Sequence, residues 1–150
     1  MKIKLLKYES YLQMIKNSVG TKMFRNLYLE KDGRKIDATK NGELSCAYFV
    51  SNVLSIWGMI EEGHATIKRT IEDMEKSEWE KISKKKIKPG DVIVWEEKVF
   101  NNHEKHCHMG FYIGNKRAIS YSHRAKVPTA HVWDYNDKRK IIAVYRWSNF

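Results

Sequence analysis

The sequence has few of the features that mark a disulfide-stapled or membrane-embedded protein. It contains two cysteines in 150 residues, and two cysteines do not build a disulfide framework. No apolar run approaches the roughly 20 residues that a membrane-spanning helix needs. Hydrophobic residues nevertheless make up 42% of the chain, which favours a folded core over disorder. We therefore expect one globular domain over residues 1–150, with no structural disulfide and no membrane insertion.

The start of the sequence lacks the pattern of an export signal. After Met1 comes KIKLLKYESYL, in which lysines interrupt the apolar residues. A signal peptide would have a continuous apolar region followed by a small-residue cleavage site. The sequence alone predicts a protein that is cytoplasmic as encoded, unless it leaves the cell by lysis or a specialised secretion route.

Acidic residues are in the minority, with 18 Asp and Glu against 28 Lys and Arg, for a net charge of +10. Such a balance suits an anionic partner such as nucleic acid, cell-wall polymer or acidic lipid. The densest cluster, KISKKKIK at 81–88, lies just before a Pro-Gly turn. The chain has no helix-turn-helix pattern, zinc-finger spacing or RNA-binding aromatic signature. We interpret the charge as a solvated basic face and do not expect nucleic acid as the main ligand; the oligomeric state stays open.

Apolar residues recur at spacings of three and four in the first half of the chain, which is typical of amphipathic helices. The predicted helices cover residues 8–19, 45–58 and 66–80. Ser45 and Thr66 stand where the N-caps of the second and third helices would be. Cys46 would then lie in the first turn of a helix whose apolar stripe faces the core.

The second half of the chain is rich in β-branched and aromatic residues between turn signals. Residues 31–44, with Asp-Gly and Asn-Gly, and residues 99–106 are predicted loops. Asn115-Lys116 is the expected hairpin turn. The predicted strands are 91–96, 108–114, 118–122 and 141–147. Helices followed by strands indicate an α+β fold, with a helical layer packed on an antiparallel β-sheet.

Two segments carry residues suited to chemistry. A thiol at the start of a helix, as at Cys46, meets free backbone N–H groups that stabilise a thiolate and can bind an oxyanion; the alternative is a small buried hydrophobe. His106 and His108 share one face of a strand, and His108 could serve as a base for that thiol. A metal site with His103 is the alternative, but no carboxylate or CxxC pair supports it. No metal and no cofactor are expected.

Three motifs, LSCAYFVSNVL, IKPGDVIVWE and HMGFYIGNKRAIS, span roughly residues 41–122. Taken together, they resemble motifs of the NlpC-type members of the papain-like cysteine peptidase superfamily, which includes cell-wall endopeptidases and the related CHAP amidases. The resemblance implies a papain-like fold, with the nucleophile helix packed on the sheet. It also implies that Cys46 is the nucleophile and His108 the general base.

The same resemblance implies a third catalytic residue that orients the imidazole. That position falls on Ser120, where the family usually has His, Asn or a carboxylate; Ser122 and His123 are the alternatives. NlpC-type enzymes commonly carry Asp at the position of Ser45, so this residue is a further departure from the pattern.

Three residues are predicted to contact substrate: Tyr48, His64 and His131. For His64 the alternative is a loop imidazole near a helix start, and for His131 it is a surface position. The tryptophans Trp57, Trp95 and Trp147 lie in apolar periodic segments and are expected in the core.

The function that the resemblance implies is a thiol hydrolase that cleaves an amide bond in peptidoglycan stem peptides, with a γ-D-glutamyl bond as one candidate. One alternative is a cytosolic cysteine peptidase or isopeptidase acting on protein. Another is a non-catalytic binding module on the same fold. Acyltransferases related to lecithin–retinol acyltransferase are disfavoured, because their motifs place His before Cys.

Overall fold

The order of elements places the helices mostly before the strands. The computed structural model describes residues 1–99 and 104–150. Its elements are α1 (Lys7–Asn17), β1 (Tyr28–Lys31), β2 (Arg34–Asp37), α2 (Cys46–Ile56), α3 (Ile67–Lys76), β3 (Trp79–Ile82), β4 (Val92–Val99), β5 (Lys105–Gly114), β6 (Arg117–Ser122), β7 (Val127–Val132) and β8 (Ile141–Trp147). Strands β3-β8-β4-β5-β6-β7 form one antiparallel sheet in that order, and β1 and β2 form a separate hairpin. The predicted α+β fold, with its antiparallel sheet, is confirmed.

The sheet buries both of its faces, and alternation along β4 shows how. Val92 and Val94 pack into the larger core together with residues of the helices, whereas Ile93 and Trp95 pack into a second core. Successive side chains of a strand point to opposite faces, so an uninterrupted apolar run is what a two-sided burial requires. The second core is closed by Trp133 and other residues that follow β7.

The turn before β4 is fixed by the first helix. The Tyr8 hydroxyl donates to the Pro89 carbonyl at 2.6 Å, and the Tyr11 hydroxyl donates to the Gly90 carbonyl at 2.7 Å. Gly90 has φ +95°, a conformation that glycine adopts without a steric penalty. Asp91 is buried and pairs with Arg146 of β8 at 2.6 Å. These contacts hold the strand that runs to the site.

The three predicted helices are present but shorter than predicted. The third ends at Lys76, because Glu78 takes φ +70° and Trp79 opens β3, so Trp79 is buried from a strand and not from a helix. The Thr66 hydroxyl accepts the amide N–H of Arg69 at 3.2 Å, as predicted for an N-cap. In residues 1–99 and 104–150, no helix is long and apolar enough to cross a bilayer.

Two predicted loops contain strands. Residues 31–44 hold part of the β1–β2 hairpin, whose side chains are almost all exposed, so the chain shows no alternation of apolar and polar residues there. The predicted loop at 99–106 is shortened, because β4 extends to Val99 and β5 starts at Lys105. The sequence also does not predict β7, because this segment includes Pro128 and has no regular alternation of apolar and polar residues.

Candidate active site

Cys46 is the first residue of α2 and is partly exposed. Burial raises the pKa of its thiol above the usual value, while the backbone N–H groups of Met109 and Ala47 and the charge of Arg139 act in the opposite direction. The helix start therefore favours the thiolate, as predicted, but desolvation outweighs it. At neutral pH the thiol stays protonated and needs a base to react.

The predicted capping role of Ser45 is wrong. Ser45 occupies the N-cap position, but its side chain makes no capping hydrogen bond. Its ψ is 2°, whereas an N-cap residue usually has extended backbone that aims the hydroxyl at the first amides of the helix. Among the described residues, the Ser45 hydroxyl is a buried side-chain oxygen without a hydrogen-bond partner. The N–H groups of the first turn are thus not capped by this side chain, and those of Cys46 and Ala47 act on the Cys46 thiol.

His108 is held on β5 by contacts on two sides of its ring. It stacks on the buried Trp95 with ring centroids 5.2 Å apart and planes 30° apart, and its Nε2 lies 2.9 Å from the Ser120 hydroxyl. Burial is the largest cause that holds the pKa of His108 well below 6.5, and the electrostatic effects of Arg139, His131 and His123 act in the same direction. The imidazole is therefore neutral at pH 7, which is the form that can accept a proton.

Ser120 is 2% exposed and lies where β6 pairs with β5. Its Oγ is 2.9 Å from His108 Nε2, 2.7 Å from His131 Nε2 and 3.0 Å from the Tyr135 hydroxyl. The residue paired with it is Gly110, where a Cβ would come within 2.6 Å of the Ser120 Cβ. Glycine at this position therefore makes room for the serine and for the groups around it.

Three neighbours relate the surroundings of Cys46 to those of His108. The Cys46 thiol lies against the backbone N–H of Met109, the residue that follows His108. Tyr135 has its ring 6.3 Å from that of His108, and it also interacts electrostatically with Cys46. Arg139 acts on both groups through its charge. Residues 46 and 108, far apart in the sequence, therefore have Arg139 and Tyr135 as shared neighbours.

Arg139 and Tyr135 are site residues that the sequence did not reveal. Arg139 is 9% exposed and is anchored by Nε to the Glu96 carbonyl at 3.0 Å and by Nη2 to the His106 carbonyl at 2.9 Å. Both residues follow β7 in a turn-rich segment whose apolar residues do not recur at the spacing of a helix or a strand. The contact of Tyr135 with Ser120 and the hydrogen bonds of Arg139 to two strand carbonyls show that this segment returns to the site.

The three predicted substrate contacts lie in different surroundings. The Tyr48 ring packs edge-on against Phe24 with centroids 6.1 Å apart. His64 Nε2 is 2.6 Å from the Asp73 carboxylate of α3. His131 is half-buried and bonded to Ser120, not on the surface. Substrate contact by these residues stays a prediction.

The alternatives to Ser120 have other contacts or exposure. The Ser122 hydroxyl accepts the Ala125 amide at 3.1 Å at the end of β6, and His123 is exposed. Of the three candidates, Ser120 has its hydroxyl oxygen 2.9 Å from His108 Nε2.

The surroundings of the other histidines and of the two cysteines concern the alternative of a metal site and the question of a disulfide. His106 lies 2.9 Å from the Glu104 carboxylate, and His103 falls outside the described residues. Within residues 1–99 and 104–150, no group of three or more His, Cys, Asp or Glu side chains could hold a metal ion. Cys46 and Cys107 are both free thiols.

Comparison with known proteins gives one result that bears on this geometry. The model of the NlpC/P60 family matches residues 37–146, a range that includes Cys46, His108 and most of the sheet. No curated protein matches the chain.

Proposed function

Since the chain belongs to the NlpC/P60 family, whose members are cysteine peptidases and amidases acting on peptides, we propose that it hydrolyses an amide bond with Cys46 as nucleophile and His108 as general base. The observation that supports these roles most strongly is the environment of the two groups. The Cys46 thiol lies against the amide of residue 109, while the neutral ring of residue 108 is tethered through Nε2. That tether leaves Nδ1 as the nitrogen available to the thiol.

In the proposed acylation step, the Cys46 sulfur forms a bond to the carbonyl carbon of the substrate. The thiol proton moves to His108 Nδ1, and the π-electron pair of the carbonyl moves to its oxygen. When the tetrahedral intermediate collapses, the C–N bond breaks and the amine leaves with the proton from His108. A thioester remains on Cys46.

The second half of the cycle uses the same groups. Water attacks the thioester carbon and gives its proton to His108. The C–S bond then breaks, the sulfur recovers the proton, and the carboxylic acid leaves. In each half, the attack creates an oxyanion and an imidazolium, and collapse of the intermediate removes both charges, so this sequence of steps requires no cofactor.

Two features support stabilisation of the oxyanion that forms in both halves. The amides at the start of α2 are not capped by the Ser45 side chain, and a helix N-terminus carries partial positive charge. The guanidinium of Arg139 adds a full charge that already acts on the Cys46 thiol. Preorganised donors of this kind are typically worth about 10²–10³-fold in rate.

We propose the peptide part of peptidoglycan as the substrate, with a γ-D-glutamyl bond as the scissile amide. The net charge of +10 suits stem peptides, which are rich in carboxylates, and anionic wall polymers. The resemblance of the three motifs to cell-wall endopeptidases supports the same substrate class.

The direct test is digestion of purified muropeptides, followed by mass spectrometry of the products. We expect the unmodified protein to release a stem-peptide fragment and Cys46→Ala to release none. Cys107→Ala makes the same chemical change at the other cysteine and serves as the matched control, with cleavage retained. A parallel digestion of ordinary α-linked peptides and of isopeptide-linked proteins separates the proposed substrate from the protein-directed alternative. Binding of muropeptide without cleavage would instead support the binding module.

A further inference from the structure

The Ser120 hydroxyl has three polar neighbours but only one proton to donate. Its oxygen can donate one hydrogen bond and accept two. The neighbours are His108 Nε2 at 2.9 Å, His131 Nε2 at 2.7 Å and the Tyr135 hydroxyl at 3.0 Å. All three contacts are of normal hydrogen-bond length. The direction of each bond therefore depends on which neighbour receives the serine proton.

His131 decides this direction through its other ring nitrogen. Its Nδ1 lies 2.8 Å from the Val132 carbonyl oxygen, which can only accept, so Nδ1 carries the hydrogen. Burial lowers the pKa of His131, so the ring is neutral at pH 7 and its Nε2 is bare. The Ser120 hydroxyl must then donate to His131 Nε2.

The rest of the network follows from that donation. With its proton committed to His131, Ser120 can only accept from its two other neighbours. Burial raises the pKa of Tyr135, so its hydroxyl keeps its proton and donates. The remaining lone pair accepts from His108, which places the imidazole hydrogen on Nε2. His108 Nδ1 is then without a proton, as a general base requires.

We infer that His131 is a positioning residue, which acts through the Ser120 hydroxyl to hold His108 in the tautomer whose Nδ1 accepts the Cys46 proton. This inference rests on the proposed function. It assigns His131 a role other than the substrate contact that the sequence suggested. It also accounts for a serine at the third position: Ser120 links His108 to an imidazole from the next strand.

Loss of His131 changes the protonation of His108 without removing either reacting group. The Ser120 hydroxyl, no longer committed, becomes free to donate to His108 Nε2. His108 would then carry its hydrogen on Nδ1, where it cannot accept the thiol proton. The charged or titratable groups around His108 are Arg139, His131, His123 and Tyr135. Alkylation changes the Cys46 thiol and leaves these four groups unmodified.

Alkylation of Cys46 by iodoacetamide at two pH values tests the inference without any knowledge of the substrate. Every variant carries Cys107→Ser, so that Cys46 is the only thiol. A bond forms between sulfur and the acetamide carbon as iodide leaves; the thiol proton goes to His108 at pH 7 and to hydroxide at pH 10. Loss of the base should therefore lower the alkylation rate at pH 7 and leave the rate at pH 10 unchanged.

We expect His131→Ala to lower the pH 7 rate by about tenfold, the effect of one hydrogen bond of ordinary strength, and to leave the pH 10 rate unchanged. Ser120→Ala should do the same, and the double variant should be no slower than either single one. His131→Gln should retain most of the rate, because its side-chain oxygen can accept from Ser120. His131→Met, similar in length but without such an acceptor, should behave like His131→Ala and replaces it if alanine prevents folding.

Thr129→Ala is the matched control, because Thr129 lies on β7, as His131 does, and is the backbone partner of Ser120 on β6. Its rates should equal those of the parent. A parent-like pH 7 rate in His131→Ala and His131→Met, or losses that multiply with Ser120→Ala, would overturn the inference. His108→Ala separates the two proposals: if it also keeps the parent rate at pH 7, the proposed base fails, and with it the relay; if it alone loses the rate, only the relay fails.

Discussion

Replacement of His108 by alanine is expected to lower kcat/KM on a cleavable peptide by about 10³-fold, within the range of 10²–10⁴-fold that positioned acid–base groups supply. The reason is that burial keeps the Cys46 thiol protonated, so attack without a base is slow. The folded state should survive, since the ring contributes a stacking contact with Trp95, a more distant ring contact with Tyr135 and one hydrogen bond.

His106→Ala provides the matched control, because it removes another imidazole from β5 whose ring contacts Glu104. We expect its kcat/KM to stay within a few-fold of the parent value. Equal losses in the two variants would show that the histidine effect is not specific to the proposed base. Steady-state kinetics on the fragment-releasing muropeptide supply both values.

The Gly110→Ala variant should lose activity and stability together. A Cβ at residue 110 would come within 2.6 Å of the Ser120 Cβ, 2.7 Å of the Ile119 carbonyl oxygen and 3.1 Å of Trp95. The backbone atom cannot move without disturbing the pairing of β5 with β6. We expect a loss of about 1–3 kcal/mol in the free energy of unfolding, as is typical of overpacking, and a fall in kcat as Ser120 shifts.

Gly63→Ala is the comparison for Gly110→Ala. A Cβ at residue 63 would also come as close as 2.7 Å to a neighbour, but the nearest atoms belong to the end of the Asn52 side chain, which can turn away. Urea unfolding should show a smaller loss than for Gly110→Ala, and the kinetic constants should not change. Unaltered kinetics in Gly110→Ala would contradict the claim that this glycine makes room for the site.

Local patterns were sufficient for the parts of the fold and site that depend on short stretches of sequence. The apolar stripe after Cys46 predicted α2, and the β-branched runs around Val92 and Phe111 predicted β4 and β5. Asn115 and Lys116 have φ of 52° and 57°, as a tight hairpin turn requires. These segments have strong periodicity or clear turn residues, so tertiary context did not override them.

The contacts of His131, Tyr135 and Arg139 depend on the register between β6 and β7 and on the path of the chain after β7, neither of which leaves a local signal. His131 reaches Ser120 only because β7 pairs with β6 in a register that places Thr129 opposite Ser120. Arg139 is buried because it reaches the carbonyls of Glu96 and His106 on two other strands. Ser45 is of a residue type that often caps helices, but its backbone angles do not aim the hydroxyl at the first amides of the helix, and the sequence does not reveal those angles.

The central claim is that a proton passes from Cys46 to His108, and the relative alkylation rates of the two native cysteines test it most directly. Iodoacetamide labelling across pH 6–10, with peptide mapping, measures both thiols in one sample. Burial raises the pKa of both Cys46 and Cys107, so neither should react readily at pH 7 on its own. We predict that Cys46 reacts at least tenfold faster than Cys107 at pH 7 and loses this advantage in His108→Ala. Equal, slow labelling of both cysteines until the pH passes 9 would contradict the account.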